Sequence, residues 1–279
     1  MGINSIRKNL NKDTIISEIK LSLGADIEKK RICLVVEGRD DIKFLRKFCG
    51  DNILIYESFS GKGGVEEIIA STVIDDYRVI GIRDRDYSNC KRSNRIFFYD
   101  KCCLEMMILS FDETFQSICC EFYDGELSSI QLKMLIFDQL YKVSRLREYN
   151  EKKSLGINFN GLAYSAMIDD KYKLDKAIFL KELLKKNPHK DESLLWVFEE
   201  VEKSKKGEQV DCLEITNGHD FVAYFKILCD KERSSGNASD REIASSLRAS
   251  FNKDFFILTD LYQSIDRYCT NYNLNSWEC

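Results

Sequence analysis

Four short apolar runs, each cut off by charged or glycine-rich residues, constrain the fold of this chain more than any other feature. The first is Ile32-Cys33-Leu34-Val35-Val36, apolar at every position rather than at alternate ones. Such a run, rich in β-branched residues, predicts a strand buried on both faces, as in a parallel sheet. Residues 53–56, 78–82 and 95–99 repeat the pattern. The stretches between them have helical spacing instead. Residues 40–48 place Ile42, Phe44, Leu45 and Phe48 on one face, and residues 65–74 predict a second helix after a Ser60-Gly61-Lys62-Gly63-Gly64 loop. Ahead of the first strand, residues 13–23 carry Ile15, Ile16, Ile19 and Leu23, with Asp13 as N-cap and Gly24 as terminator. Strand and helix in alternation imply an α/β fold, a parallel sheet flanked by helices with right-handed crossovers.

After the fourth run the texture changes. Residues 102–109 predict a helix. Apolar stripes at 131–143, 174–186, 194–202, 220–229, 243–251 and 255–268 predict a mainly helical C-terminal region. The expected division is an N-terminal helical segment, 1–30, a sheet domain, 31–115, and a helical domain, 116–279. A chain of 279 residues can bury cores of that size.

Composition narrows the chemistry. With only two histidines, His189 and His219, neither an H-E-x-x-H motif nor a histidine-rich metal site can form, and a Ser-His-Asp triad would have to use one of the two. The eleven cysteines include two adjacent pairs, Cys102-Cys103 and Cys119-Cys120, but no C-x-x-C. They read as small buried apolar residues rather than as zinc ligands or a disulfide framework. A metal would therefore be held mainly by carboxylates, which favours Mg²⁺ or Mn²⁺. No run nears the roughly 18 apolar residues of a membrane span, and the first residues lack the apolar stretch of a secretory signal. A cytoplasmic protein with no membrane partner is expected. The net charge of −4 gives no global attraction to nucleic acid.

Ligands of a parallel sheet bind beyond the carboxyl ends of its strands. Glu37 follows the first run, and Asp84 and Asp86 follow the third. One acid in such a place is an ordinary turn residue; three at equivalent ends of neighbouring strands point to a site. A D-x-D can bring two carboxylates to one ion where the backbone curls, with Glu37 completing the site or serving as acid or base. Asp41, at the start of the next helix, is either a further ligand or a carboxylate favoured there by the helix itself. Glu105, in an otherwise apolar stretch, is either a second-metal ligand or an exposed helix position. Lys62 is either a phosphate contact or a turn lysine. Its loop lacks the G-K-[ST] ending of a Walker A motif, so ATP hydrolysis is not expected. Arg83, Arg85, Lys91, Arg92 and Arg95 form a basic strip suited to a phosphate backbone, with Tyr87 able to stack on a base. For His219-Asp220, helix capping by Asp220 is a sufficient account.

Val36-Glu37-Gly38-Arg39-Asp40-Asp41, the Gly61-Lys62-Gly63-Gly64 loop before a helix, Ile80-Gly81-Ile82-Arg83-Asp84-Arg85-Asp86-Tyr87 and Cys103-Leu104-Glu105-Met106-Met107 together resemble the Toprim domain. That domain is shared by topoisomerases, primases and overcoming-lysogenization-defect (OLD) nucleases. The longer pattern is similar to the Toprim effector nucleases of bacterial anti-phage systems encoded beside an ABC-type ATPase, the AriB family of PARIS-type systems. The motifs cover about residues 31–110. The resemblance implies a Toprim-like sheet and a Mg²⁺- or Mn²⁺-dependent nuclease built on Glu37, Asp84 and Asp86. It also implies a metal-binding acid at the spacing of Asp41, and a toxic activity that an ATPase partner holds and releases. From it follow the expectations of a tRNA substrate and a homodimer. Three other readings stay open: a DNA-cleaving nuclease, an aspartate-nucleophile phosphotransferase, and a non-catalytic assembly module. The phosphotransferase would leave Glu37 unexplained, since its D-x-D normally follows the first core strand.

Overall fold

All five residues of β1 (Ile32–Val36) are buried, as a run apolar at every position requires. The computed structural model describes residues 11–87, 93–204, 211–232, 238–275 and 277. β1 lies in the middle of a sheet with β2 (Ile53–Glu57), β3 (Val79–Arg83) and β4 (Ile96–Phe98), in the order β2-β1-β3-β4 and all parallel. The fold is α/β: a four-stranded parallel sheet flanked by helices, with a helical C-terminal part.

Contacts divide the chain into two units. The first holds 1–85, 89–104 and 252–279, and contains the sheet. On one face, Cys33 and Val35 of β1 pack with α1 (Lys12–Gly24), through Ile15, Ile16, Ile19 and Leu23, and with α3 (Gly61–Ile69), through Val65, Ile68 and Ile69. Side chains alternate along a strand, and an aromatic group fills another part of this unit's core. There Phe44 of α2 (Arg39–Leu45) meets Tyr99 and Phe256 edge-on, and Phe48 stacks on Phe256 at 4.1 Å. Thus residues 252–279, expected in the helical domain, return to the sheet unit. Tyr268 of α12 (Asp260–Asn271) packs edge-on against Phe97 and donates its hydroxyl to Tyr77 O at 2.9 Å.

The second unit holds 86–88 and 105–251. It takes α4 (Leu104–Leu109) from its second residue onward, then α5 (Asp112–Phe122), α6 (Ser129–Lys152), α7 (Lys176–Lys186), α8 (Asp191–Ser204), α9 (Gly218–Glu232) and α10 (Asp240–Ser250). Its centre is aromatic: Phe115 meets Phe221 and Phe225 at 5.5 and 5.3 Å, and Phe137 meets Phe221 at 5.1 Å. Among the described residues no helix is long and apolar enough to cross a membrane.

Several element ends differ from expectation, each for a local reason. The cap of α1 is Asn11, whose Oδ1 accepts from Thr14 N at 2.9 Å, rather than Asp13; Gly24 lies within the helix and Ala25 ends it. α3 starts at Gly61, so Lys62 lies in a first helical turn and not in a loop; a one-turn 3₁₀ helix (Thr72–Ile74) follows. The stretch 255–268 breaks into α11 (Lys253–Phe256) and α12, because Thr259 Oγ1 accepts from Tyr262 N and starts a new helix.

Candidate functional site

The order β2-β1-β3-β4 sends the first crossover to one side of β1 and the next to the other. The crevice where such a sheet reverses lies at the carboxyl ends of β1 and β3. Glu37 follows β1 directly and Asp84 follows β3 directly. They are joined: Asp84 N donates to Glu37 Oε1 at 2.8 Å. Asp84 Oδ1 accepts from Leu104 N at 3.0 Å, at the start of α4. The same carboxylate that ends β3 thus caps a helix.

Two small residues shape the ground around Glu37. Ser58, buried just after β2, donates from N to Val36 O at 2.8 Å and from Oγ to Gly61 O at 2.8 Å. Gly61 has φ +53°, a left-handed conformation that costs other residues about 1–2 kcal/mol. A Cβ there would make only ordinary contact, 3.6 Å from Glu37 Oε2, so it is the backbone conformation that calls for glycine. Lys62 follows, partly buried, in the first turn of α3.

Asp41 is the third residue of α2, and its Oδ2 accepts from Gly38 N at 2.8 Å. One oxygen therefore does the capping work that a carboxylate at a helix start does in any protein. These backbone bonds orient Glu37, Asp41 and Asp84.

Tyr99 is the residue that the sequence pattern alone does not single out. It closes the fourth apolar run, is fully buried, and its backbone N–H extends the β3–β4 ladder to Arg83 O at 3.2 Å. The ring packs edge-on against Phe44 at 6.2 Å. Burial, then the charge of Asp41 and a side-chain hydrogen bond with it, and then the charges of Asp84 and Glu37, hold the buried phenol well above its ordinary pKa. A hydroxyl-bearing residue at the end of an apolar strand, level with Asp84, is the one signal the sequence offers for it.

The other two acids belong to the second unit and are considered there. Asp86, partly buried, has φ +51°, so the backbone does curl within the D-x-D; Asp is among the few residues that tolerate this. Glu105, also partly buried rather than exposed, lies against the start of α9: a Cβ on Gly218 would come within 2.2 Å of Glu105 Oε2. Next to Gly218, the capping expected of Asp220 falls to Asn217, whose Oδ1 accepts from His219 N at 3.1 Å and Asp220 N at 3.3 Å. Asp220 instead pairs side-on with Arg147, at 2.6 and 2.9 Å. The pair, with Phe159, Tyr164 and the exposed His219, lines a cleft of about 280 Å³.

The basic strip is corrected in two places. Arg83 is buried, pairs with Glu66 at 3.0 Å, donates to Asp84 O at 2.6 Å and lies over Phe98 at 4.6 Å. Arg95 donates to Ile69 O at 2.8 Å and Asp76 O at 3.0 Å, and pairs with Asp75. Both guanidiniums satisfy protein carbonyls and carboxylates, so neither offers its charge to a phosphate backbone. Arg85 is partly buried, with its charge bearing on Asp100, and Tyr87 bears on Arg147 within the second unit. Lys91 and Arg92 lie outside the described residues. The described cysteines are free thiols, and burial pushes Cys33 and Cys119 up to about 12, which keeps them protonated and inert.

Among the described residues, no three acidic, histidine or cysteine side chains form a ready-made ligand cage. Among the described residues there is thus no closed zinc or calcium site. Mg²⁺ asks for less, one or two carboxylates with several retained waters. Glu37 and Asp84, joined through the Asp84 amide at 2.8 Å, fit that sparse pattern. Compared with family models and with curated proteins, the chain matches none.

Proposed function

We propose that this chain is a Mg²⁺- or Mn²⁺-dependent nuclease of the Toprim type, the toxic effector of an anti-phage system. In this reading it acts in the cytoplasm, cleaves tRNA as a homodimer, and is held silent by an ABC-type ATPase partner. One observation carries the proposal. The Asp84 amide donates to Glu37 Oε1 at 2.8 Å, which ties together the two strand ends that carry these acids where the parallel sheet reverses.

The ion would be held by Glu37 and Asp84, with Asp41 beside them. Asp86 and Glu105 are further candidates, which follow Asp84 and Leu104 by two residues and one residue in the chain. When bound, a divalent cation stabilises the extra charge on a phosphate undergoing cleavage and acidifies a water. The chain's own part is to fix these carboxylates. The Asp84 amide holds the Glu37 rotamer, and the Leu104 amide holds Asp84. Lys62, in the first turn of α3, would be the cation that meets a phosphate. The tRNA preference rests on the family resemblance, since shape and exposed loops, rather than a sequence-reading motif, would select such a substrate.

The test is cleavage of labelled tRNA and of DNA by the purified chain, with Mg²⁺ and with EDTA, beside Glu37→Gln. Glutamine can still accept from Asp84 N, so the fold is kept while the charge is lost. Mg²⁺-dependent cutting of tRNA that falls by about 10²-fold or more in the variant is expected. Cutting of DNA alone would make it a DNase with the same site. Capture of a phosphoryl-aspartate at Asp84 would make it a phosphotransferase, and no reaction on any substrate would favour an assembly module.

A further inference from the structure

We infer that the cleft lined by Arg147, Asp220 and His219 is a nucleobase subsite, which takes one unstacked base of the nucleic acid and stacks it on the Arg147 guanidinium. The inference rests on the nuclease reading above and deepens it, and it requires no cation.

The cleft lies wholly within the second unit, where the C-terminal half of α6, residues 159–164 and the start of α9 meet. One wall is a fixed plane. Arg147 donates from Nε and Nη2 to Asp220 at 2.6 and 2.9 Å, and its guanidinium lies over Phe159 at 4.7 Å. Asp220 is buried. A buried ion pair is often no more stabilising than apolar residues of the same volume, so one set in the wall of a cleft calls for a use. Charge narrows the occupant. Among the described residues that line the cleft, Arg147 is the one Lys or Arg side chain; Asp220 neutralises it, and the exposed Asp240 adds a negative charge. That interior does not attract a phosphate. A flat neutral group with donors and acceptors on its rim would meet Asn160, His219 and Asp240 there. The volume of about 280 Å³ falls just below the roughly 300–1,000 Å³ of pockets for drug-sized ligands, which suits a single base. Arginine planes and histidine rings are among the surfaces on which unstacked RNA bases settle. Two neighbours fit a nucleic acid. Lys186 Nζ stands 3.6 Å from where a Cβ on the exposed Gly161 would be, so a positive charge lies at the lip, where the phosphate joined to the base would pass. Tyr87, which directly follows Asp86 of the D-x-D, bears on Arg147.

The test is binding of labelled tRNA by the full chain in EDTA, where metal-dependent cutting is silent, at several salt concentrations, beside His219→Ala and Asn160→Ala. Both side chains are exposed, so the variants are expected to melt as the wild type does. Affinity for tRNA is expected to fall about fivefold or more in His219→Ala, as the loss of a stacking contact does. Its salt dependence is expected to stay unchanged, because a base contact releases no counterions. Free nucleosides are titrated alongside. Equal tRNA affinity in the three proteins overturns the inference and leaves the nuclease reading standing; a free nucleoside that the wild type alone then binds would make the cleft a free-nucleoside site. A loss accompanied by a salt slope lower by about one also overturns it, since His219 would then touch a phosphate. If the wild type neither binds nor, with Mg²⁺, cuts any nucleic acid, the nuclease reading fails and takes this subsite with it.

Discussion

At the scale of single residues, Gly218 shows how one missing carbon decides where a charged group can lie. A glycine at the start of α9 looks like a weakness in a helix, and replacing it by alanine would ordinarily help. Here a Cβ would meet Glu105 Oε2 at 2.2 Å, Cδ at 2.6 Å and Cβ at 2.7 Å. Gly218→Ala is therefore expected to destabilise the chain by about 1–3 kcal/mol, as overpacking does, in urea unfolding. Adding Glu105→Ala should recover part of the loss, since the two nearest atoms are gone while the Glu105 Cβ remains. A Gly218→Ala protein as stable as wild type would mean that Glu105 does not pack there. Arg83 teaches the converse at the same scale. It flanks the D-x-D and has the right charge for a phosphate, yet it sits at the last position of a buried strand and is consumed by Glu66 and Phe98.

At the scale of elements, the segment that enters β3 is an ion network with a defined pH response. Arg78 donates from Nε and Nη2 to Asp76 at 3.1 and 2.8 Å and from Nη1 to Asp26 at 3.1 Å. Partial burial alone would raise the Asp76 pKa, but the hydrogen bonds and charge of Arg78 together bring it below the usual carboxylate value. A folded pKa below the unfolded one, about 3.9, stabilises the fold above that pH and loses its effect as pH falls through the folded value. Asp76→Asn should thus melt lower than wild type at pH 7, and the gap between the two melting curves should close as the pH falls through the folded value. A gap that persists unchanged into acid would show that the charge of Asp76 is not what holds this turn.

At the scale of the whole molecule, the two units are interleaved along the chain, which crosses between them at 85/86, 88/89, 104/105 and 251/252. The return of residues 252–279 to the sheet unit is an energetic necessity as much as a topological one. Phe256, Leu261, Ile265 and Leu274 are all buried, and each contributes about 1.5–3 kcal/mol when removed from water. Four such side chains rival the net stability of an ordinary domain, about 5–15 kcal/mol. Asp100 adds a local tie, accepting from Asp260 N and Leu261 N at 2.9 Å each at the start of α12. A chain ending at residue 251 is expected to lose the cooperative thermal transition of its sheet unit, read by near-UV circular dichroism. A truncated chain that melted as the full one does would refute the assignment of this segment to the sheet.

The sequence by itself determined the sheet. Short runs apolar at every position favour buried strands, so β1 is found fully buried at 32–36, β4 lies within 95–99, and β2, at the edge of the sheet, is a strand only partly buried. It also placed Glu37 and Asp84 at strand ends, because polarity resumes abruptly where burial stops. Local chemistry left other points open that only tertiary structure closed. Strand order is a matter of long-range pairing, and it alone brings the ends of β1 and β3 side by side. The fate of Arg83 depended on Glu66, seventeen residues earlier in the chain, and that of Gly218 on Glu105. The 252–279 segment has the same amphipathic spacing as its helical neighbours, and an apolar stripe says that a helix must bury one face, not against what. Tyr99 reads as one more strand residue until the fold shows it fully buried, packed edge-on against Phe44. Periodicity records which side chains leave water; which partners they meet is set by contacts that the order of residues does not encode locally.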